Sequence, residues 1–363
     1  MGKETTPIGL GFDPTIENPK SKIQNRRVEG WSRREFLSTA ALAGTGAFLG
    51  VRPDAVGADA PPEITKISLV RSPGIICIAP LYVAEAFLRG EGFTEVQYLT
   101  KKGRVEANKA VASGEAQITI TFNGLLSVQV NDGDPVVTLA GVHGGCYELF
   151  AKDQIRSIRD LKGKSVAVTD LGSGRHVFLA SMLTYVGLNP RKDVNFETYP
   201  PAEAMRLFTE GKIDAFIAFP PEPQELRAKK IGHVVVNMMM DRPWSQYFCC
   251  MVGANREFVR KYPVATKRAL RAILKATDAC AREPERAARF LVDKGYTENY
   301  TYALQTMKEL PYGAWREYDP EDTVRFYALR LHEAGMIKNS PQKIISQGTD
   351  WRFLRELKKE LKA

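Results

Sequence analysis

The sequence predicts an α/β protein with two similar lobes, and three observations support this prediction. Short strand-like segments alternate with helix-like segments between residues 64 and 253, a pattern typical of a largely parallel sheet with helices on both faces. Val111–Phe122 and Phe208–Phe219 share a helix end, a glycine, a strand and a final phenylalanine, at an offset of 97 residues. Helix-like segments then dominate from Arg256 onward.

The predicted elements follow from apolar periodicity and from the glycines and prolines that interrupt it. Strands are predicted at Ile64–Val70, Glu95–Leu99, Gln117–Phe122, Val136–Ala140, Lys164–Thr169, Asn195–Tyr199, Ile213–Phe219 and Gln246–Gly253. Between the strands, helices are predicted from Pro80 to about Leu88, at Val105–Ala112, behind a turn at Asn123-Gly124, and at Arg175–Val186 and Pro201–Glu210. The later helices are predicted at Arg256–Tyr262, Ala265–Arg282, Glu285–Lys294, Tyr300–Leu310, Glu321–Ala334 and Trp351–Lys362.

The composition is that of an ordinary globular protein. The chain has 363 residues, enough for two lobes, with 44% apolar and 26% charged residues. No run of 18 apolar residues occurs, so no transmembrane helix is expected. The formal net charge is +9, but the basic residues are dispersed and form no nucleic-acid-binding module.

The N-terminus is predicted to be an export signal. Ser32-Arg33-Arg34-Glu35-Phe36-Leu37 resembles the twin-arginine motif, and a moderately apolar run to Val51 follows it. Small residues then predict cleavage after Ala58, which makes residues 1–58 a signal peptide preceded by a disordered extension. No cysteine stands at the cleavage site, so lipid attachment is not expected.

Three segments of the chain body carry motifs of a known family. They are Ala79–Ala84 after the first strand, Ile158–Val168 with its Asp-Leu-Lys-Gly-Lys sequence, and Ala202–Phe219. With these segments, residues 61–363 resemble a type II periplasmic binding protein of the nitrate/sulfonate/taurine family of ABC importers. Pro220–Pro223 departs from the family pattern, which usually has an aromatic residue before Glu-Pro.

This resemblance implies two α/β lobes joined by two crossover strands, with a ligand cleft between them. Lobe one would comprise 61–145 plus 246–363 and lobe two 146–245, with crossovers near 142–151 and 240–253. The lobes would close around the ligand by a hinge motion. Because the crossovers run side by side in this fold, Cys146 is expected to lie near Cys249 or Cys250. Either pair could form a disulfide, whereas buried free thiols are the alternative for all five cysteines.

The resemblance also implies a function. The protein would be a periplasmic monomer that captures a small anion and delivers it to ABC permease subunits, after export by the twin-arginine translocase. No catalysis, cofactor or nucleic-acid partner is expected. The cysteines and histidines lack the spacing of a zinc site, so no metal is predicted either.

Candidate ligand-binding residues lie in four loops at the carboxyl ends of predicted strands, where open α/β sheets bind ligands. Gly172, Ser173 and Gly174 precede a helix whose N-terminus favours negative charge. Arg175 and His176 stand in its first turn, where the helix dipole disfavours cations, so an anionic partner is expected for them. The other candidates are Arg71, Ser72, Asn123, His143, Pro221, Glu222 and Tyr247.

Other functions remain open from the sequence. The ligand could be a pyrimidine precursor of thiamine, and the Cys249-Cys250 pair faintly resembles the cysteine-rich segment of pyrimidine-synthesising enzymes of the same superfamily. A periplasmic sensor subunit that binds the same ligands is a further alternative. For the candidate site residues, roles without a ligand also remain open, such as a solvated surface arginine or a histidine packed in the core.

Overall fold

A computed structural model describes residues 60–362, so the twin-arginine motif and the expected cleavage site lie outside the described residues. Within these residues, ten strands form two five-stranded sheets. They are β1 Lys66–Arg71, β2 Glu95–Thr100, β3 Ile118–Phe122, β4 Val136–Gly144, β5 Glu148–Ala151, β6 Ser165–Val168, β7 Asn195–Thr198, β8 Ala215–Ala218, β9 His233–Asn237 and β10 Phe248–Asn255.

Each sheet is mixed: four of its five strands run in one direction, as in the predicted largely parallel sheet, and one runs in reverse. The first sheet has the order β2-β1-β3-β10-β4, and the second has the order β7-β6-β8-β5-β9. In each sheet the first three strands are parallel, and the fourth runs antiparallel to both of its neighbours. The antiparallel strands, β10 and β5, are those that follow a crossover. The chain therefore enters each sheet from the other one in the reverse direction.

The chain passes between the sheets twice, after β4 and after β9, and the two passages touch. Gly145 lies in the first passage, and a Cβ atom there would come within 2.5 Å of the Met239 backbone nitrogen in the second. The Met238 backbone nitrogen also donates to the Tyr147 carbonyl at 3.1 Å. Only glycine allows this close approach of the two backbones.

Thirteen α-helices surround the sheets within residues 60–362. They are α1 Ala79–Gly90, α2 Arg104–Ala112, α3 Asn123–Asp132, α4 Gly174–Tyr185, α5 Pro201–Thr209, α6 Glu222–Lys229, α7 Arg256–Lys261, α8 Pro263–Arg282, α9 Pro284–Asp293, α10 Tyr300–Glu309, α11 Pro320–Glu333, α12 Pro341–Gly348 and α13 Arg352–Glu360. Several begin at a proline, because the missing N–H is not needed in a first turn. None of the described helices is long and apolar enough to cross a membrane.

Strands β5 and β9 and helices α6 and α12 differ from the sequence-based expectations, and β9 is absent from the predicted strands. Strand β5 lies where the sequence predicts only a crossover. It was not predicted as a sheet strand because four residues are too few to show an apolar periodicity. Helix α6 lies where the three prolines at 220–223 predict a loop, but Pro223 occupies its first turn, where proline is tolerated. Helix α12 has no counterpart among the predicted helices. The predicted core face of α5 is correct, because Ala204, Leu207 and Phe208 are buried against the second sheet.

Candidate functional site

A cleft of about 870 Å³ lies between the two sheets. It is open to solvent, and loops from both sheets line it. The first sheet contributes the loop after β1 and the loop that leads from β2 into α2. The second contributes the loops after β6, β7 and β8, together with Tyr147. The lining residues are Pro73–Ile75, Lys102–Glu106, Tyr147, Thr169–Leu171, Ser173–Arg175, Thr198–Pro201 and Phe219–Glu222.

Arg104 is a cleft arginine that keeps free hydrogen-bonding capacity. It begins α2, and its Nη2 donates to Cys77 Sγ at 3.1 Å. Its Nη1 is buried and has no hydrogen-bond partner in the described part of the chain. The guanidinium carbon lies 5.0 Å from the centre of the Phe219 ring, which comes from the other sheet. Arg104 therefore lines the cleft and has one buried donor nitrogen without a hydrogen-bond partner among residues 60–362.

Arg175 is paired within the chain. Its Nη1 and Nη2 each donate to one carboxylate oxygen of Glu222 at 2.7 Å, and Nη1 also donates to the Ile217 carbonyl. Glu222 is held in turn by the Phe219 backbone N–H at 3.0 Å. Burial by itself lowers the pKa of Arg175, but the Glu222 carboxylate outweighs this and leaves the pKa raised.

This pairing changes the interpretation of the helix start. The sequence places a cation there without an acidic residue in the first turn, and so predicts an anionic ligand to compensate it. The structure supplies Glu222 instead, 47 residues further along the chain. Both residues still line the cleft, but the bidentate geometry occupies both terminal nitrogens of the guanidinium.

The start of α4 faces the cleft through Ser173 and Gly174. Ser173 caps the helix, and its hydroxyl accepts from the His176 N–H at 3.4 Å. A Cβ atom on Gly174 would lie 2.6 Å from the Tyr147 hydroxyl oxygen, so glycine lets the helix end meet this side chain. The first N–H groups of a helix have no partner within it, which gives this edge of the cleft a partial positive charge.

His176 and Gly172 are bonded to each other and lie outside the cleft lining. The Gly172 N–H donates to His176 Nδ1 at 2.9 Å, and the imidazole packs edge-on against Phe196. Burial lowers the pKa of His176. Because Nδ1 accepts a hydrogen bond and the pKa is lowered, the ring is neutral near pH 7 and does not supply the second cation that the sequence predicts here.

The other predicted residues are dispersed. Pro221 lines the cleft beside Glu222, whereas Arg71, Ser72, Asn123, His143 and Tyr247 lie outside its lining. Arg71 is exposed and donates from Nε to Thr100 Oγ1, and the Ser72 backbone is bonded to the Tyr82 hydroxyl. The Asn123 amide donates to the Thr323 carbonyl, His143 is buried in the first sheet, and the Tyr247 ring stacks on Phe326.

Sequence reasoning missed Arg104, Tyr147 and the loop at 198–201. The rule that ligands bind at the carboxyl ends of strands could have found two of these segments. Strands β2 and β7 also end at the cleft, but the predicted site includes only the loops after β1, β3, β6 and β8. No sequence pattern marked Tyr147 as a cleft residue, because it lies in a crossover whose position depends on both sheets.

All five cysteines are buried free thiols in this structure. Cys146 Sγ lies 2.8 Å from Cys249 Sγ, as the side-by-side crossovers lead one to expect, and Cys250 Sγ lies 4.0 Å from Cys249 Sγ. The ligand atoms of Cys77, His143, Cys146 and Cys250 all lie within 4.8 Å of one another. This cluster is the set of described residues best arranged to hold a metal ion.

Comparison with known proteins places the chain in a family. A sequence model described as the NMT1-like family matches residues 110–291, half of the chain, and the chain belongs to this family. Among curated proteins, it is 22% identical over 316 residues to the nitrate/nitrite binding protein NrtA of Nostoc sp., covering 73% of this chain and 70% of that protein.

Solved structures show the same fold. The periplasmic nitrate-binding protein NrtA from Synechocystis superposes with a TM-score of 0.69 at 16% identity, covering 83% of this chain and 90% of that one. The alkanesulfonate-binding protein SsuA from Xanthomonas axonopodis pv. citri, bound to MOPS, gives a TM-score of 0.65 at 13% identity, covering 80% and 99%. The predicted type II periplasmic binding protein fold is therefore confirmed.

Proposed function

We propose that this protein is the solute-binding component of an ABC importer, that it acts in the periplasm, and that it captures a small organic anion without chemically changing it. The relatives that bind nitrate and sulfonates support an anionic ligand. They favour this hypothesis over the pyrimidine precursor and over the pyrimidine-synthesising enzyme. Delivery to a membrane permease and its ATPase is part of the same proposal.

The observation that supports anion binding is the free nitrogen of Arg104 in the cleft lining. A buried guanidinium N–H without a partner carries a desolvation cost that a carboxylate or sulfonate oxygen would remove. The first turn of α4 adds unpaired N–H groups from the opposite lobe. An anion between Arg104 and Gly174 would therefore contact both lobes, which is the arrangement that stabilises a closed state.

The size and lining of the cleft favour an anion with an organic body. Its volume of about 870 Å³ is in the range of sites for whole small molecules and is much larger than nitrate needs. Tyr147, Tyr199 and Phe219 supply ring surfaces. The lining also contains Glu106, Asp170 and Glu222, so its charges are balanced overall. Anion selectivity then depends on the position of Arg104 rather than on a general positive field.

The test is a thermal-shift titration of the full chain with nitrate, bicarbonate, taurine, benzoate and a neutral aminopyrimidine. A ligand at about 100 times its Kd should stabilise the protein by about 2.7 kcal/mol. We expect an organic anion to stabilise the protein by this amount. Arg104→Gln should raise the Kd of that anion about tenfold or more. Arg355→Gln, which changes an exposed arginine in α13, is the matched control and should bind normally.

Two results would contradict the proposal. Stabilisation by the neutral pyrimidine alone would show that Arg104 does not select the ligand. Binding of an anion with equal affinity by wild type and Arg104→Gln would place the ligand elsewhere. Transport is tested separately, by uptake of the identified anion in cells with and without the gene. Unchanged uptake together with tight binding would favour the sensor function.

A further inference from the structure

Four potential metal ligands meet beneath the cleft, although they are far apart in the sequence. Cys77 precedes α1, His143 lies in β4, Cys146 lies in the first passage between the sheets, and Cys250 lies in β10. All four side chains are at most 1% exposed. Strand β10 pairs antiparallel with β4 and sets Cys250 directly opposite His143, so these two side chains share one face of the sheet.

The imidazole of His143 is oriented as in metal-binding histidines. His143 Nδ1 lies 2.6 Å from the Gly144 carbonyl oxygen. A carbonyl oxygen only accepts, so Nδ1 carries the proton and Nε2 keeps its lone pair. Nε2 is buried and has no hydrogen-bond partner among residues 60–362. Metal-binding histidines commonly have one ring nitrogen fixed by a backbone carbonyl in this way, while the other nitrogen faces the metal.

The charge around the thiols fits a metal as well. Arg104 Nη2 donates to Cys77 Sγ at 3.1 Å and is the cation that contacts the cluster in the described structure. Three thiolates with Zn²⁺ carry a net charge of −1, which the guanidinium would balance, whereas the same thiolates with Cu⁺ would carry −2.

We propose that Cys77, His143, Cys146 and Cys250 bind a thiophilic d10 cation, Zn²⁺ or Cu⁺. Three sulfur ligands and one imidazole are a donor set that such ions prefer, and four protein ligands make a closed, structural site. With metal–sulfur distances of about 2.3 Å, tetrahedral ligand atoms stand roughly 3.8 Å apart. The observed upper limit of 4.8 Å therefore requires only a small contraction.

The bound ion would connect parts of the hinge. Cys146 belongs to the first passage between the lobes, and Cys250 belongs to the strand that follows the second. Arg104 lies between the cluster and the cleft, so the metal would also fix the residue to which we assign anion recognition. The inference is nevertheless independent of the ligand's identity, because it depends on the four side chains and on the contact between Arg104 and Cys77.

A disulfide between Cys146 and Cys249 is the competing outcome. Oxidation of these two thiols would form one S–S bond, release two protons and two electrons to an oxidant, and remove Cys146 from the ligand set. The twin-arginine motif bears on this choice, because that route exports folded proteins. Metal bound before export would protect the thiols in an oxidising compartment.

The test begins with the reduced full chain, stripped of metal by a chelator and kept free of oxygen. It is titrated with Zn²⁺ alone and, separately, with Cu⁺ alone, and bound metal per chain is counted by mass spectrometry of the elements. We expect one ion per chain. Co²⁺ offered as a spectroscopic probe should give the thiolate charge-transfer absorption of a tetrahedral sulfur site.

Variants locate the site. Cys250→Ser and His143→Ala should each lose most of the bound ion, whereas Cys280→Ser should retain it. Cys280 is an equally buried cysteine in α8 that does not belong to the cluster, so it is the matched control. Should a variant fail to fold, native alkylation of the wild type remains decisive, because a bound ion should slow the labelling of Cys146.

Several results would overturn the proposal. Folded, reduced wild type that binds neither Zn²⁺ nor Cu⁺ would refute it directly. Unchanged metal content in Cys250→Ser would place the ion elsewhere. Recovery of the exported protein with a Cys146–Cys249 disulfide and without metal would assign these thiols to a covalent bond. None of these results depends on whether an anion binds in the cleft.

Discussion

The two lobes share one strand plan and differ in what surrounds it. In both sheets the first three strands are parallel to one another, and the fourth strand runs antiparallel to them. Among the described helices, α7–α13 follow the last strand of the first sheet, whereas α4, α5 and α6 lie between strands of the second. The shared plan provides two facing strand ends, and the added helices decide how the lobes contact each other.

The two cleft arginines illustrate the same contrast. In the second lobe, Arg175 is neutralised by Glu222 from the same lobe and has no free terminal nitrogen. In the first lobe, Arg104 donates to a sulfur atom through Nη2 and lies against the Phe219 ring, while Nη1 has no hydrogen-bond partner among residues 60–362. A positive charge at a cleft is therefore not sufficient to identify a binding residue. The partners of its hydrogen-bonding groups decide whether it supports the fold or is available to a ligand.

The largest effect should come from breaking the second-lobe pair. Glu222→Gln removes the charge that compensates a buried guanidinium, and breaking a buried pair in this way costs about 3 kcal/mol or more of unfolding free energy. Urea denaturation would measure it. Glu225→Gln, in the same helix but in a more exposed pair with Lys229, should cost less than about 0.5 kcal/mol.

A double variant tests whether the uncompensated charge of Arg175 causes this loss of stability. Arg175→Met combined with Glu222→Gln removes both charges and should recover part of the lost stability, because no uncompensated ion remains. Equal destabilisation by Glu222→Gln and Glu225→Gln, or a double variant less stable than Glu222→Gln alone, would contradict the structural role assigned to Arg175.

An intermediate effect is expected at the ion pair that joins the lobes. Arg227 of α6 donates to both carboxylate oxygens of Glu309 in α10, at 2.7 and 2.8 Å, and also contacts the buried Glu148. Glu309→Gln should reduce stability by about 1 kcal/mol or less, since the pair is partly exposed. It should also alter the ligand affinity measured by calorimetry, because the contact exists only in conformations that bring α6 and α10 together.

Glu285→Gln is the control for this contact. Glu285 pairs with Lys308 at 2.7 Å on the surface of neighbouring helices α9 and α10, so its loss should leave ligand affinity unchanged. If both variants changed affinity equally, the Arg227–Glu309 pair would not be specific to the lobe interface.

The smallest effect should be a pH dependence from His176. Burial lowers its pKa in the folded protein, so the unfolded chain takes up the proton first as the pH falls. The contribution of His176 to the free energy of unfolding is thus complete at pH values above the ordinary histidine pKa of about 6.5, and it is lost as the pH falls below that value. His176→Asn should flatten the loss of stability between pH 7 and pH 5, measured by thermal unfolding.

His332→Asn serves as the reference for this measurement, because His332 is exposed near the end of α11. It controls for the loss of one imidazole at the protein surface. A profile for His176→Asn that matches wild type would mean that burial of this imidazole has no energetic consequence.

Much of the fold was predictable because its signals are local. The offset repeat at Val111–Phe122 and Phe208–Phe219 corresponds to β3 and β8, which occupy the same place in the two sheets. Ser173 is a good N-cap, and its sequence context predicted the start of α4 within one residue. The direction of β5 and β10 was not predictable, because it depends on where the chain returns from the other sheet.

The sequence by itself determined which segments become strands and helices, since apolar periodicity and glycine or proline breaks act on neighbouring residues. It also determined that strand ends would carry the cleft loops. Only the tertiary structure decided that Arg175 meets Glu222 and that Arg104 remains partly free. It also brought Cys77, His143, Cys146 and Cys250 together, although their sequence spacing predicts no metal site. Such contacts are set by packing between segments far apart in the chain, where no local pattern records them.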